Sequence, residues 1–213
     1  MSDVCSRLHG LVASAPRFLF PFDAKRILKD GIYVLFEKGE RGHGADRIVR
    51  VGTHTGAKQL PSRLRQHFIL ENKDRSIFRK NIGRALLRRD HDAFIEQWEL
   101  DLTTRAARAR YAATVDLDKQ CSVEKRVTDY MQATFTFIVI GVVEKDARLE
   151  LESKLISTVS LCADCGPSPN WLGRHSPKQQ IREGRLWNVN ELYKTPLSGV
   201  DLGRFEGLVR QEL

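Results

Sequence analysis

Four side chains in the first third of this chain have the right types to act on a phosphodiester. Tyr33 closes the tripeptide Gly31-Ile32-Tyr33, Arg50 opens Arg50-Val51-Gly52, and Arg63 and His67 follow in Arg63-x-x-x-His67. Tyrosine and histidine can pass protons, and an arginine fork matches two phosphate oxygens. Arg63 and His67 stand at i and i+4, so a helix opening near Pro61 projects both from one face. Each also has a plainer reading. Tyr33 alternates with Ile32 and Val34 and suits core packing, and an Arg–His pair on a helix is a common surface feature.

Glu152 is the next candidate. On a helix at 100° per residue, Leu149, Leu151, Leu155, Ile156 and Val159 form one apolar arc, and Glu152 falls within it. A carboxylate facing a packed side is costly unless it is paired, protonated or bound to a cation. One reading is a buried Glu–Arg pair or a glutamate at the core edge. The other is a Mg²⁺ ligand, since that ion keeps most of its waters and accepts phosphate oxygens.

The charge balance favours a polyanionic partner. Lys and Arg number 35 against 27 Asp and Glu, a net of +8. Arg75, Arg79, Lys80, Arg84 and Arg88 cluster together, and Lys80, Arg84 and Arg88 form one helical stripe, which reads as a phosphate grip or a solvated face. Four cysteines are too few for a disulfide scaffold in a chain this long. Cys162-Ala-Asp-Cys165 has zinc-knuckle spacing, with Cys121 and His175 as conceivable further ligands, but reduced thiols beside a loop are the preferred reading. His43, His54 and His91 read as loop or surface histidines.

The elements that must position these residues follow from pattern. Residues 1–30 form a helical or irregular lead-in. Gly31–Glu37 and Arg47–Thr53 read as strands joined by a glycine-bearing loop over Lys38–Asp46, and Pro61–Phe68 as a short helix. Helices are expected over Arg75–Arg89, Asp92–Leu100 and Val123–Gln132, with a strand near Tyr111–Leu117. Thr134–Val143 is the strongest strand, Ala147–Leu161 is helical, and a loop-rich tail follows. The expected class is α+β, a small antiparallel three-stranded sheet flanked by helices. In domain terms this gives a lead-in (1–30), a core (31–170) with a helical insertion (71–132), and a basic, aromatic extension (171–213) packed on the same domain. No apolar run approaches the ~20 residues of a membrane span, and the expected location is cytoplasmic.

Taken together, these elements resemble the GIY-YIG nuclease superfamily. Gly31-Ile32-Tyr33 matches the first family tripeptide, and Arg50-Val51-Gly52 stands where the second is usually Tyr-Ile/Val-Gly. Arg63-Leu64-Arg65-Gln66-His67-Phe68 matches the helix motif, and Glu152 with Leu155 and Ile156 matches the metal glutamate. Asn170, in Pro167-Ser168-Pro169-Asn170, matches the late asparagine. The matches span about 31–170. Arg75-Ser76-Ile77-Phe78-Arg79 and the tail around Trp171 and Trp187 are similar to a prokaryotic, restriction-endonuclease-like branch.

The resemblance implies a divalent-metal-dependent DNA endonuclease of restriction, defence or repair type. It would use Mg²⁺ on Glu152, with Mn²⁺ able to substitute. Tyr33, alone or through His67, would take the proton of the attacking water. Arg63 and Arg50 would neutralise phosphate charge, and Asn170 would orient Tyr33 or close the site. Double-stranded DNA would be gripped by Arg75, Arg79, Lys80, Arg84 and Arg88 and by the tail's Arg174, Lys178, Arg182 and Arg185. A homodimer is allowed, and no membrane partner is expected. Arg50 departs from the family pattern, because a guanidinium cannot act as a base. The alternative is therefore a catalytically weak or inactive protein of the same fold that binds DNA.

Overall fold

The structure is a computed structural model and describes residues 2–212. Strand β1 (Gly31–Gly42) pairs antiparallel with β2 (Ala45–Gly52) on one side and β3 (Phe135–Gly141) on the other, in the order β2-β1-β3. The α+β expectation holds. The connection between β1 and β2 does not match: Lys38–Asp46 is no loop. Only His43 and Gly44 turn the chain, both at positive φ (52° and 78°), between paired Gly42 and Ala45. Two-residue hairpins of this hand need positive φ at both corner positions. The glycines that suggest a loop are a kink at Gly39 (φ 89°), where the register shifts, and this tight corner.

Alternation along the strands separates two cores. Tyr33, Leu35, Phe137 and Val139 face helices α2 (Leu60–Phe68), α3 (Ile77–Arg89) and α6 (Leu117–Thr134), packing with Leu64, Phe68, Phe78 and Val127. Ile32, Val34, Phe36, Ile138 and Ile140 face α1 (Ser2–Ser14), α7 (Lys145–Leu161) and α9 (Gly199–Arg210), packing with Leu8, Val12, Leu155 and Phe205. Each fully buried aliphatic or phenyl group contributes roughly 1.5–3 kcal/mol. A one-residue slip of β1 would move Tyr33 to the other face of the sheet.

Three expectations in the insertion are corrected. The strand near Tyr111–Leu117 is absent. The chain there leaves α5 (Arg105–Tyr111) and enters α6, whose start is set by the Asp116 side chain accepting from the Lys119 amide at 2.9 Å. The helix over Asp92–Leu100 shrinks to one turn, α4 (Ile95–Trp98). Helix α3 begins at Ile77 rather than Arg75, because Ser76 caps it by accepting from the Arg79 amide at 3.2 Å.

The tail is also more ordered than its glycines and prolines suggest. It holds α8 (Gln179–Gly184) and α9, which opens on a reciprocal Ser198/Asp201 capping box. A Cβ at Gly199, Gly203 or Gly207 would meet nothing within 4 Å, so these glycines lie on the open side while Leu202, Phe205 and Val209 face the core. The tail is pinned by Trp171 and Trp187, whose indole N–H groups both donate to buried Glu37 at 2.9 Å, with the Tyr130 hydroxyl as a third donor. Burial pushes the Glu37 carboxyl upward, and the three donors oppose it. No described helix is long and apolar enough to cross a membrane.

Candidate active site

The site begins where β1 starts. Gly31 lies so close to β3 that a Cβ there would overlap the Ile140 carbonyl. Its own amide donates to His54 Nε2 (3.3 Å) and its carbonyl accepts from Thr53 Oγ1 (2.8 Å). His54 Nδ1 donates to the Gly56 carbonyl at 2.6 Å, so this histidine is a buried tie between strand and loop, not a surface residue. Two residues on, Tyr33 is 1% exposed, and its hydroxyl lies 2.8 Å from His67 Nε2. Gly52 pairs with Tyr33 across the sheet, and a Cβ on Gly52 would overlap the Tyr33 ring and hydroxyl. The first tripeptide and the second motif therefore fit each other through this one missing side chain.

His67 is fully buried, with a hydroxyl at each ring nitrogen. Nδ1 is 2.6 Å from Ser76 Oγ, which already accepts from the Arg79 amide. The neutral imidazole therefore bridges two hydroxyls, Ser76 and Tyr33, donating from one ring nitrogen and accepting at the other. Burial, then the charges of Arg63, Arg50 and Arg79, hold His67 well below the usual histidine pKa. His67 is thus a neutral imidazole in direct hydrogen-bond contact with the Tyr33 hydroxyl.

Two guanidiniums and a carboxylate surround this pair. Arg50, 8% exposed, stacks 4.8 Å over the Phe78 ring and donates to the Trp187 carbonyl at 2.8 Å. Its Nε is a buried donor without a partner, and it has no ion pair among the described residues. Arg63 is partly buried at a cleft lined by Thr53, His54, Gln59, Ser62 and Gln66, and it also lacks a carboxylate partner there. Glu152 is partly buried on α7. Burial raises its carboxyl, while Arg50 and the Thr53 amide pull it back. Glu152 makes no ion pair among the described residues, which fits a hard cation better than a structural role. The structure thus brings Tyr33, His67, Arg50, Arg63 and Glu152 into one region.

Asn170 does not join them. It is exposed in a turn, and neighbouring Ser168 binds Glu40, seven residues along β1 from Tyr33, on the order of 20 Å at ~3.3 Å per residue. The asparagine beside the site is Asn188. Its side chain accepts from the Val51 amide (3.1 Å) and donates to the Val51 carbonyl (2.8 Å), between Arg50 and Gly52. Sequence reasoning missed both Asn188 and Ser76. A serine just before the apolar α3 pattern was the available signal for the cap; Asn188 lies in the tail stretch Leu186–Val189 that carries the resemblance, but nothing local gave it a role.

Two of the five basic residues around α3, Arg79 and Arg84, are internal, which removes them from the expected DNA grip. Arg79 is fully buried, forked onto Glu124 (2.7 and 3.1 Å) and bonded to the His67 carbonyl (3.1 Å). Arg84 is 5% exposed and pairs with Glu99 and Asn81. Lys80 donates to the Glu99 carbonyl at 2.7 Å, and partial burial lowers its pKa. Removing one partner of a buried pair such as Arg79–Glu124 typically costs ~3–5 kcal/mol, so Arg79 is structural. Arg75, Arg88, Arg174, Lys178 and Arg182 are exposed, and Arg185 is partly buried, its backbone carbonyl accepting from Arg47. Arg88 and Arg174 line one groove with Arg89, His91 and His175.

Cys121 and His175 do not approach the Cys162–Cys165 pair as further ligands. Cys121 is exposed on α6, and His175 lies in the basic groove. Compared with known proteins, residues 15–212 match a family model described as a GIY-YIG domain. No curated protein and no solved structure matches.

Proposed function

We propose, for a chain that belongs to the GIY-YIG domain family, that this nuclease-type protein is an active endonuclease hydrolysing DNA phosphodiesters with a divalent cation, Mg²⁺ or Mn²⁺, held by Glu152. One observation carries the reading: the Tyr33 hydroxyl is hydrogen-bonded to a neutral, buried His67 in a region where Arg50 and Arg63 have no carboxylate partners. A degenerate site would have little reason to keep a partnerless guanidinium donor buried at Arg50.

The division of labour follows. Tyr33, as phenolate supported by the His67 Nε2–H, takes the proton of the water that attacks phosphorus. Arg63 and Arg50 balance charge on the non-bridging oxygens as it builds up. A cation on Glu152 would supply charge stabilisation for the departing 3′-oxygen. Asn188, rather than Asn170, holds the β2 segment between Arg50 and Gly52 in place. Exposed Arg88 and Arg174, with Lys178, offer the backbone contacts for duplex DNA, contacts that position rather than read sequence.

Purified protein incubated with plasmid and Mg²⁺ tests this directly, with Glu152→Gln as the control. Wild type is expected to nick or linearise the plasmid and the variant to bind it without cleaving. Cleavage retained by Glu152→Gln would defeat the metal assignment. A wild type silent in both Mg²⁺ and Mn²⁺ would favour the DNA-binding alternative. Because the folded state raises the Glu152 carboxyl, its ionised form opposes folding at neutral pH. The glutamine variant is therefore expected to melt higher, by about 2–4 °C per kcal/mol relieved.

A further inference from the structure

Away from that region, three of the four cysteines and two histidines gather from distant parts of the chain. Cys5 and His9 come from α1, His43 from the β1–β2 corner, and Cys162 and Cys165 from the end of α7. Ligand atoms of Cys5, His9, His43 and Cys165 all lie within 4.8 Å of one another. Cys162 Sγ is 3.3 Å from His43 Nε2, and the Cys5 thiol lies against those of Cys165 and Cys162. We propose that Cys5, Cys162, Cys165 and His43 Nε2 bind one structural zinc ion.

The spacing suits that ion. Zn–S bonds of ~2.3 Å and Zn–N bonds of ~2.1 Å in a tetrahedron put ligand atoms about 3.6–3.8 Å apart, so small inward shifts of side chains close the shell. A four-ligand shell of three thiolates and an imidazole leaves no open position, which is the structural rather than the catalytic pattern. The Cys162-Ala-Asp-Cys165 spacing is that of a knuckle.

His43 is the second, independent pointer. It occupies the first corner position of the hairpin at φ 52°, where glycine, asparagine or aspartate is the easy choice. Its ring is half-buried, 5.0 Å from that of His9, with Nε2 turned to Cys162. A histidine in a strained corner, aimed at three thiols, has a ligand's placement. His9 is excluded from the shell by its own bonds. Its Nδ1–H donates to the Cys5 carbonyl (2.9 Å), and its Nε2 accepts from the Ile48 amide (3.2 Å). His9 instead backs the cluster, 3.4 Å from Cys165 Sγ.

Such an ion would tie the N-terminal helix, the hairpin corner and the last turn of α7 at one point. The hairpin carries Tyr33 and Arg50, and α7 carries Glu152 ten residues before Cys162. The tie would fix the helix against the hairpin whether or not the catalytic reading holds.

Elemental analysis of the full chain, purified without chelator, tests the proposal. About one zinc per chain is expected, with one thiol (Cys121) reacting quickly with a disulfide reagent and three more reacting after chelation. Replacement by Co²⁺ should give the visible bands of a tetrahedral ion and a thiolate charge-transfer band. Cys121→Ser and His9→Gln should keep the metal, whereas His43→Gln should weaken zinc binding by at least about tenfold. Metal-free protein with four free thiols would overturn the site, as would a mass two daltons low that marks a disulfide. Retention by His43→Gln with loss by His9→Gln would overturn the ligand assignment. Unlike plasmid cleavage, none of these readouts depends on Glu152 or added Mg²⁺.

Discussion

Gly52 stands directly beneath the Tyr33 hydroxyl, paired across the β1–β2 ladder, in space that any side chain would fill. The last residue of the second motif is thus a steric seat for the last residue of the first. Gly52→Ala is expected to push Tyr33 off His67, cutting plasmid cleavage by about 10²-fold or more while destabilising by ~1–3 kcal/mol. Cleavage kinetics beside a thermal melt check it; full activity would mean that the Tyr33–His67 bond does not matter.

Tyr33 and His67 are expected to differ in weight. If the phenolate is the base and His67 supports it, Tyr33→Phe should cost far more rate than His67→Gln, whose amide can still donate. Ser76→Ala frees the imidazole tautomer and removes a helix cap, a stability loss of about 1 kcal/mol with a smaller rate loss than Tyr33→Phe. Single-turnover rates decide it, and a milder loss at Tyr33 than at His67 would reverse the roles.

Arg50 offers a sharper contrast. Arg50→Ala is expected to lower cleavage by about 10²-fold, and Arg50→Lys to restore part of it, since a point charge survives without the fork. Melting temperatures separate this from simple loss of the Trp187 contact. Equal rates for alanine and lysine would show that charge at this position is idle.

Acid should expose His67 as well. Its folded pKa lies below the unfolded value of ~6.5, so the folded state binds fewer protons. The stability it contributes is present above about pH 6.5 and is lost as pH falls toward the folded pKa. His54, whose pKa burial also lowers, acts in the same direction. Melting temperature of wild type against His67→Gln across pH 8 to 5 is expected to show the steeper acid loss in wild type; parallel curves would remove His67 from the account.

Much of this was legible in the sequence because period-2 and period-3.6 patterns are set by burial. β1, β3, α2 and α7 lie close to where alternation and apolar spacing put them. Glycine misled twice for one reason, since composition does not say which way a residue faces. Gly39 lies inside β1 and Gly184 ends helix α8, yet both read as loop. The strand expected near Tyr111 failed because Asp116 caps a helix there. The basic cluster misled at Arg79, which finds Glu124, 45 residues away, and such partners are invisible to local pattern. Asn188 escaped for the same reason: its role depends on Val51, 137 residues upstream.

The sheet has two outer rims, and segments of the same chain bond to both. Along β2, the Trp187 amide bonds the Val49 carbonyl at 2.8 Å, and the Asn188 amide group takes both polar groups of Val51. Along β3, Phe18 exchanges backbone bonds with Phe137 in both directions. An unguarded strand rim is a template on which further copies can polymerise. Two molecules of this protein could pair along β2 only by first evicting Trp187 and Asn188, and that would also release the backbone beneath Arg50. The β2 rim is thus guarded by the same tail residues that hold the site's second strand in place.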